Sequence, residues 1–274
     1  MRFISQKILL NLLGIKIFYN IKDKKFILDI FLLLSVLFCI IVFYYKISGD
    51  IGYNWQFYRI SEFLIKTNEN GYEPGVLLKG LFVTLKISFI SLILAFIFGL
   101  ASALFRLSDS FMLNGISLFY VETIRNTPLL IQIFFNYFVV SPIIDISPFK
   151  TAVLTLSLFE GAYASEIIRG GINSIPWGQT EAAKALGMNN RLLFTYVILP
   201  QGLKKVIPPL TSQSISLIKD SALVSTISVY ELTLYGQAII SETFLTFEIW
   251  FIVAIIYLII NFTLSVVIKL LTKK

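Results

Sequence analysis

The chain has 274 residues, 57% hydrophobic and 14% charged, with 25 Phe, 13 Tyr and a net charge of +7. At a mean hydropathy of +0.82 a water-soluble domain of this length has no means of hiding so much apolar surface, so the chain belongs in a bilayer. The lack of any His excludes imidazole bases and His-ligated metals, and the single cysteine, Cys39, excludes an intrachain disulfide.

Residues 1–26 form a basic segment, with Arg2, Lys7, Lys16, Lys22, Lys24 and Lys25 against Asp23. The apolar run 27–45 is long enough to cross a bilayer as a helix. It lies too far from residue 1, and lacks the small-residue cleavage site, for a removed signal peptide. The basic flank puts its N-terminal side in the cytoplasm and the loop 46–75 outside, closing on the turn signals Asn70-Gly71 and Pro74-Gly75. Further spans are expected over 76–105, 113–140, 151–168, 202–227 and 247–268, with 113–140 interrupted by the polar stretch 122–128. The loop 169–205 holds Arg169, Lys184, Arg191, Lys204 and Lys205 against Glu181. The stretch 228–248 holds Glu231, Glu242 and Glu248 with no Lys or Arg, and Lys269, Lys273 and Lys274 end the chain. Basic and non-basic loops alternate, as in a polytopic membrane protein, and this argues against a nucleic-acid patch. The expectation is an all-α integral membrane protein with both termini cytoplasmic, one N-terminal span (27–75 with its loop) and five core spans over 76–270.

The loop 169–200 is too polar and basic for lipid. Pro176 and Gly178 interrupt the preceding helix, residues 179–186 are strong helix formers, and Gly187 supplies a left-handed cap. Asn189 and Asn190 can cap a further helix over 191–199, where Pro200 forces a kink or a stop. The small residues Ala182, Ala183 and Ala185 suit close seating in a groove of another protein.

Glu181-Ala182-Ala183, then Gly187, then Val197-Ile198-Leu199-Pro200 at their spacing resemble the EAA loop of ABC-importer permeases, with Val197 where that pattern has Ile. Ala162-Tyr163, Glu166 and Arg169-Gly170-Gly171-Ile172 resemble the segment ahead of that loop in the polar-amino-acid branch of the family. So do Glu122 to Gln132, Pro208-Pro209-Leu210, and Lys219-Asp220-Ser221-Ala222-Leu223, where Ala222 departs from the pattern. The resemblance covers about 76–270. It implies that 178–187 is a coupling helix docking into an ATPase subunit, with Gly178, Glu181, Ala182, Ala183 and Gly187 as its contact set. It also implies import of polar amino acids across a bacterial cytoplasmic (inner) membrane, with an external substrate-binding protein and a second permease subunit, identical or not. The loop 46–75 and the extra span faintly resemble the subset handling glutamate and aspartate. The sequence holds no Gly-x4-Gly-Lys-Ser/Thr loop, so ATP is expected on the partner, and this chain is expected to be no enzyme and to hold no cofactor or metal.

Charges inside spans are expensive and mark functional or paired sites. Glu160 is the candidate partner for a substrate ammonium, and Lys219 with Asp220 are candidates for the same path. Glu122 and Arg125, three apart on one helical face, can pair with each other, and a place in the path is open to them too; with Pro128, Arg169 and Pro200 they are read as structural or interface residues. Interhelical pairing remains an alternative for all the charged ones. A rival class, an ion-coupled secondary transporter built on intramembrane carboxylates, would not need the 178–200 pattern and would usually show inverted repeats, which the sequence lacks. An intramembrane enzyme would need a nucleophile–base pair or a metal cluster that it also lacks.

Overall fold

The computed structural model describes residues 24–50, 53–68 and 71–272, so most of the basic segment 1–26, Asn70, Lys273 and Lys274 lie outside the described residues. The chain forms two compact units, 1–58 and 59–274. In the first, α1 (Lys24–Asp50) is a single helix whose described side chains are almost all exposed. Beyond it Trp55 stacks between Tyr44 and Phe57, with ring centroids 6.1 and 5.4 Å away.

The second unit opens with a 3₁₀ turn (Phe57–Arg59) shared with the first, then α2 (Ile60–Leu64) and a two-stranded antiparallel hairpin, β1 (Ile65–Asn68) and β2 (Gly71–Pro74). No strand was expected in the loop 46–75. Gly71 sits at φ +122°, a conformation that glycine adopts without a Cβ penalty. Gly75 then starts α3 (Val76–Arg106) with its backbone pressed on that of Phe63.

The remaining elements are α4 (Phe111–Arg125), α5 (Leu129–Phe135), a π-helical turn (Asn136–Val140), α6 (Ser141–Ile144), α7 (Pro148–Asn173) and α8 (Trp177–Ala185). After them come α9 (Asn190–Leu192), a second π turn (Leu193–Ile198), α10 (Leu199–Asp220), a 3₁₀ stretch (Ser221–Ile227), α11 (Leu232–Thr243) and α12 (Thr246–Thr272). The most extensive packing joins α3 to α7, with α10 on α7 and α11 on α3.

Small residues make the α3–α7 contact close. On α3, Ser91, Ala95, Gly99 and Ala103 recur every four residues, and on α7 so do Ser157, Gly161 and Ser165. A Cβ on Gly99 would stand 2.7 Å from that of Ala164, and one on Gly161 would stand 2.9 Å from that of Phe98. Ser102, Ser117 and Ser165 join hydroxyl to hydroxyl at 2.6 and 2.9 Å, tying α4 to the pair. The main apolar core gathers Ile87, Ile133, Leu156, Leu217, Val224 and Ile227.

Several sequence expectations change. Among the described residues, Val76–Arg106 and Thr246–Leu270 are unbroken helices long and apolar enough to cross a membrane. Two bent helix pairs reach that length and apolarity only when each is taken together, Phe111–Arg125 with Leu129–Ile144 at 107° and Asn190–Ile227 with Leu232–Thr243 at 49°. The run 113–140, expected to be interrupted at 122–128, is broken at 126–128 and changes direction there. The break is satisfied locally: Asn126 donates to the Glu122 carbonyl, and Gln132 Nε2 donates to the carbonyls of Ile124 and Thr127 at 2.8 and 2.9 Å. Pro128, with no N–H to lose, starts the new direction as the N-cap of α5. Pro200 does not stop its helix. It occupies the first turn of α10, directly after a π turn whose wider hydrogen-bonding ring accommodates the missing donor.

Candidate functional site

Two regions concentrate exposed or unpaired chemistry, and α7 feeds both. The first is the excursion 174–198 between α7 and α10. Its base is fixed by Lys205 Nζ donating to the Ser174 carbonyl at 2.7 Å and by Gly171, whose missing Cβ makes room for Val206. Between these anchors α8 starts at Pro176 and ends in a Schellman cap: the Gly187 N–H donates to the Lys184 carbonyl at 2.9 Å and the Met188 N–H to that of Ala183 at 3.1 Å. Gly187 holds φ +79°, the conformation the sequence asked of it. Asn189 Oδ1 then accepts from the Leu192 N–H at 2.9 Å, capping the next helix as expected.

On α8 the side chains divide by face. Ala183 is buried, on a helix that packs against the protein's own π turn. Gly178, Glu181, Ala182 and Ala185 are exposed, as are Trp177 and Leu186, at 68% and 80%. Trp177 Nε1 donates to Glu181 Oε1 at 2.7 Å while Lys184 Nζ lies 6.0 Å from the indole centre. Glu181 thus fixes the orientation of an exposed indole. Trp177 and Leu186 carry no charge or motif signal that would have singled them out, whereas the cap and the small residues were legible.

The second region is Glu160, buried in the middle of α7. It lines a cleft of about 390 Å³ between α3 (Leu92, Ala95, Phe96) and α10 (Leu210, Gln213, Ser214). Gln213 interacts with the carboxyl group from across the cleft. Glu160 Oε1 nevertheless finds no hydrogen-bond partner. An apolar wall with one unsatisfied carboxyl oxygen fits a small ligand that brings its own donor or positive charge. Lys219 is exposed at the end of α10 and Asp220 half-buried next to it.

The pairing that the spacing of Glu122 and Arg125 allows does not form. Glu122 accepts from Asn126 Nδ2 at 3.0 Å, and Arg125 turns to Glu166, 3.8 Å away, and to the ring of Tyr163. Arg169 also reaches Glu166, at 2.8 Å. At the opposite end of α3, sequence reasoning passed over Glu231. Its buried carboxylate accepts from the Thr233 and Leu234 N–H groups at the start of α11 and from Tyr257 of α12 at 3.0 Å. Thr84 of α3 lies 3.4 Å from it. Only its place just ahead of a helix, as an N-cap carboxylate, could have signalled this role.

The family model of the binding-protein-dependent transport system inner membrane component matches residues 95–274. Over 202 residues the chain is 39% identical to the glutamine transport system permease protein GlnP of Escherichia coli (strain K12), covering 73% of this chain and 92% of that one. It is 38% identical to the nopaline transport system permease protein NocM of Agrobacterium fabrum over 193 residues, 66% and 80% of the two chains. A crystal structure of an amino acid ABC transporter with histidines superposes with a TM-score of 0.69 at 35% identity, covering 72% of this chain and 93% of the other. The inward-facing MetNI methionine ABC transporter, at 19% identity and a TM-score of 0.63, shares the fold. The chain belongs to the binding-protein-dependent transport system inner membrane component family, and within it to the permease subunits of amino-acid ABC importers, whose ATP hydrolysis resides in a partner subunit.

Proposed function

We propose that this subunit imports a polar, zwitterionic amino acid, with glutamine ahead of glutamate and aspartate, holding the substrate ammonium on Glu160. The unpartnered Glu160 oxygen in its cleft is the observation that carries the reading. An ammonium there would make a charge-assisted hydrogen bond and neutralise a carboxylate that is otherwise costly at that depth. The glutamine named in the GlnP relatives favours that substrate over the acidic pair. Lys219 and Asp220 line the continuation of the same path, with the exposed polar side chains of α10 (Lys204, Ser212, Lys219) turned to a water-filled route shared with a second permease subunit.

In this reading α8 is the coupling helix. Its exposed Trp177, Gly178, Glu181, Ala182 and Leu186 enter a cleft of the ATP-binding subunit, and the Gly187 cap fixes the angle at which the helix is offered. ATP stays on that partner, and this chain holds no cofactor. The external binding protein delivers substrate to the face bearing 46–75 and 228–246. Both termini and α8 share the cytoplasmic side of the inner membrane, with α1 and five core segments crossing it.

The test is uptake of radiolabelled glutamine, glutamate and aspartate by the reconstituted transporter with and without Glu160→Gln. A lost charge-assisted hydrogen bond of about 1.5–3 kcal/mol predicts at least about a tenfold fall in glutamine uptake, with ATPase binding kept. Unchanged uptake by Glu160→Gln would remove that residue from the path. A preference for aspartate would overturn the substrate order.

A further inference from the structure

Glu166 gathers three arginines from three helices. Arg169, on its own helix, donates through Nε at 3.1 Å and Nη2 at 2.8 Å, a two-point pairing. Arg106, the last residue of α3, brings Nη1 to 3.6 Å, and Arg125, the last residue of α4, brings Nη1 to 3.8 Å. Arg106 Nη1 is buried and makes no hydrogen bond, so its attraction to the carboxylate is the compensation it has. Three positive groups around one negative group leave a net charge of +2 in a partly buried place. Like charges at such range repel strongly unless a counter-charge stands between them.

We propose that Glu166 is a positioning residue for energy coupling: a single electrostatic pivot that makes the C-terminal ends of α3 and α4 follow α7. The geometry suits that task, because α8 begins about three helical turns further along the chain and the join between them is braced. Lys205 holds the Ser174 carbonyl and Val206 fills the space beside Gly171. A displacement of α8 therefore reaches the end of α7 stiffly, and Glu166 hands it to the two helices flanking α7. The inference rests on the reading of α8 as the helix that docks on the ATPase.

The measurement is substrate imported per ATP hydrolysed by the complete transporter in liposomes, together with recovery of the ATPase on purified permease. Glu166→Gln should keep the ATPase bound and hydrolysing while the ratio falls roughly five- to tenfold, the scale of a typical coupling energy. Removing one surplus cation should then help: Glu166→Gln with Arg125→Gln should recover part of the loss, because the repulsion left by the first change is relieved. A Glu166→Gln transporter with the wild-type ratio overturns the proposal. So does a double variant that is no better than the single one, which marks Glu166 as a packing residue. If the single variant fails to assemble, regained assembly in the double variant supports the pivot and continued failure overturns it. The docking reading fails separately, through a Trp177→Ala variant that binds and responds to its ATPase normally.

Discussion

Gly187 isolates the conformational role of one residue, because a Cβ there would touch nothing within 4 Å. Any penalty for a side chain comes from its φ of +79° alone. For an ordinary L-residue this left-handed geometry costs roughly 1–2 kcal/mol, less for Asn. ATP-dependent uptake should therefore fall in the order Gly, Asn, Ala, Val at position 187, with membrane insertion unchanged. Equal uptake across the series would show that the cap angle of α8 does not matter. This position was legible because glycine after a run of helix formers is a local signal. Glu166 was not, since its partners Arg106 and Arg125 come from other segments, and the i,i+3 spacing of Glu122 and Arg125 pointed to a pair that does not form. Nearness in sequence is a weak guide to charge pairing where three helix ends converge.

At the scale of elements, the α3–α7 contact depends on the absence of side chains. Gly99→Ala would drive a Cβ to within 2.7 Å of Ala164 and 3.0 Å of the Gly161 carbonyl, so the helices must separate. Such overpacking costs typically 1–3 kcal/mol. Gly115 on α4 has nothing within 4 Å, and alanine there improves helix propensity by roughly 0.5–1 kcal/mol. Thermal unfolding in detergent should place Gly99→Ala below the parent and Gly115→Ala at or above it; the reverse order would refute the close contact. Helices and their polar interruptions were readable in the sequence, as the segment 122–128 shows. Hydropathy has no direction, however, so the 107° turn at Asn126, Thr127 and Pro128 was not. Of the two outcomes expected at Pro200, a kink or a stop, the stop does not occur, because the π turn that precedes it takes up the missing donor.

Over the whole molecule, the alternation of basic and acidic loops makes a statement about sides. With the exposed Cys39 replaced by serine, a cysteine at Glu242 should react with an impermeant thiol reagent on intact cells. One at Asn190 should react only after the membrane is opened. Labelling of position 190 from outside would invert the topology. α7 raises a different question, that of how the chain enters the membrane during synthesis. It is 26 residues long and central, yet is not among the helices apolar enough to cross alone, since it carries Lys150, Glu160, Glu166 and Arg169. One charged residue at a helix centre costs about 2.5–3.5 kcal/mol on translocon scales. Nearly half of α7 faces protein, and α3 supplies most of that surface. The helix bearing Glu160 is therefore expected to enter the bilayer poorly alone and well when α3 precedes it, which glycosylation-mapped insertion of α7 with and without α3 would check.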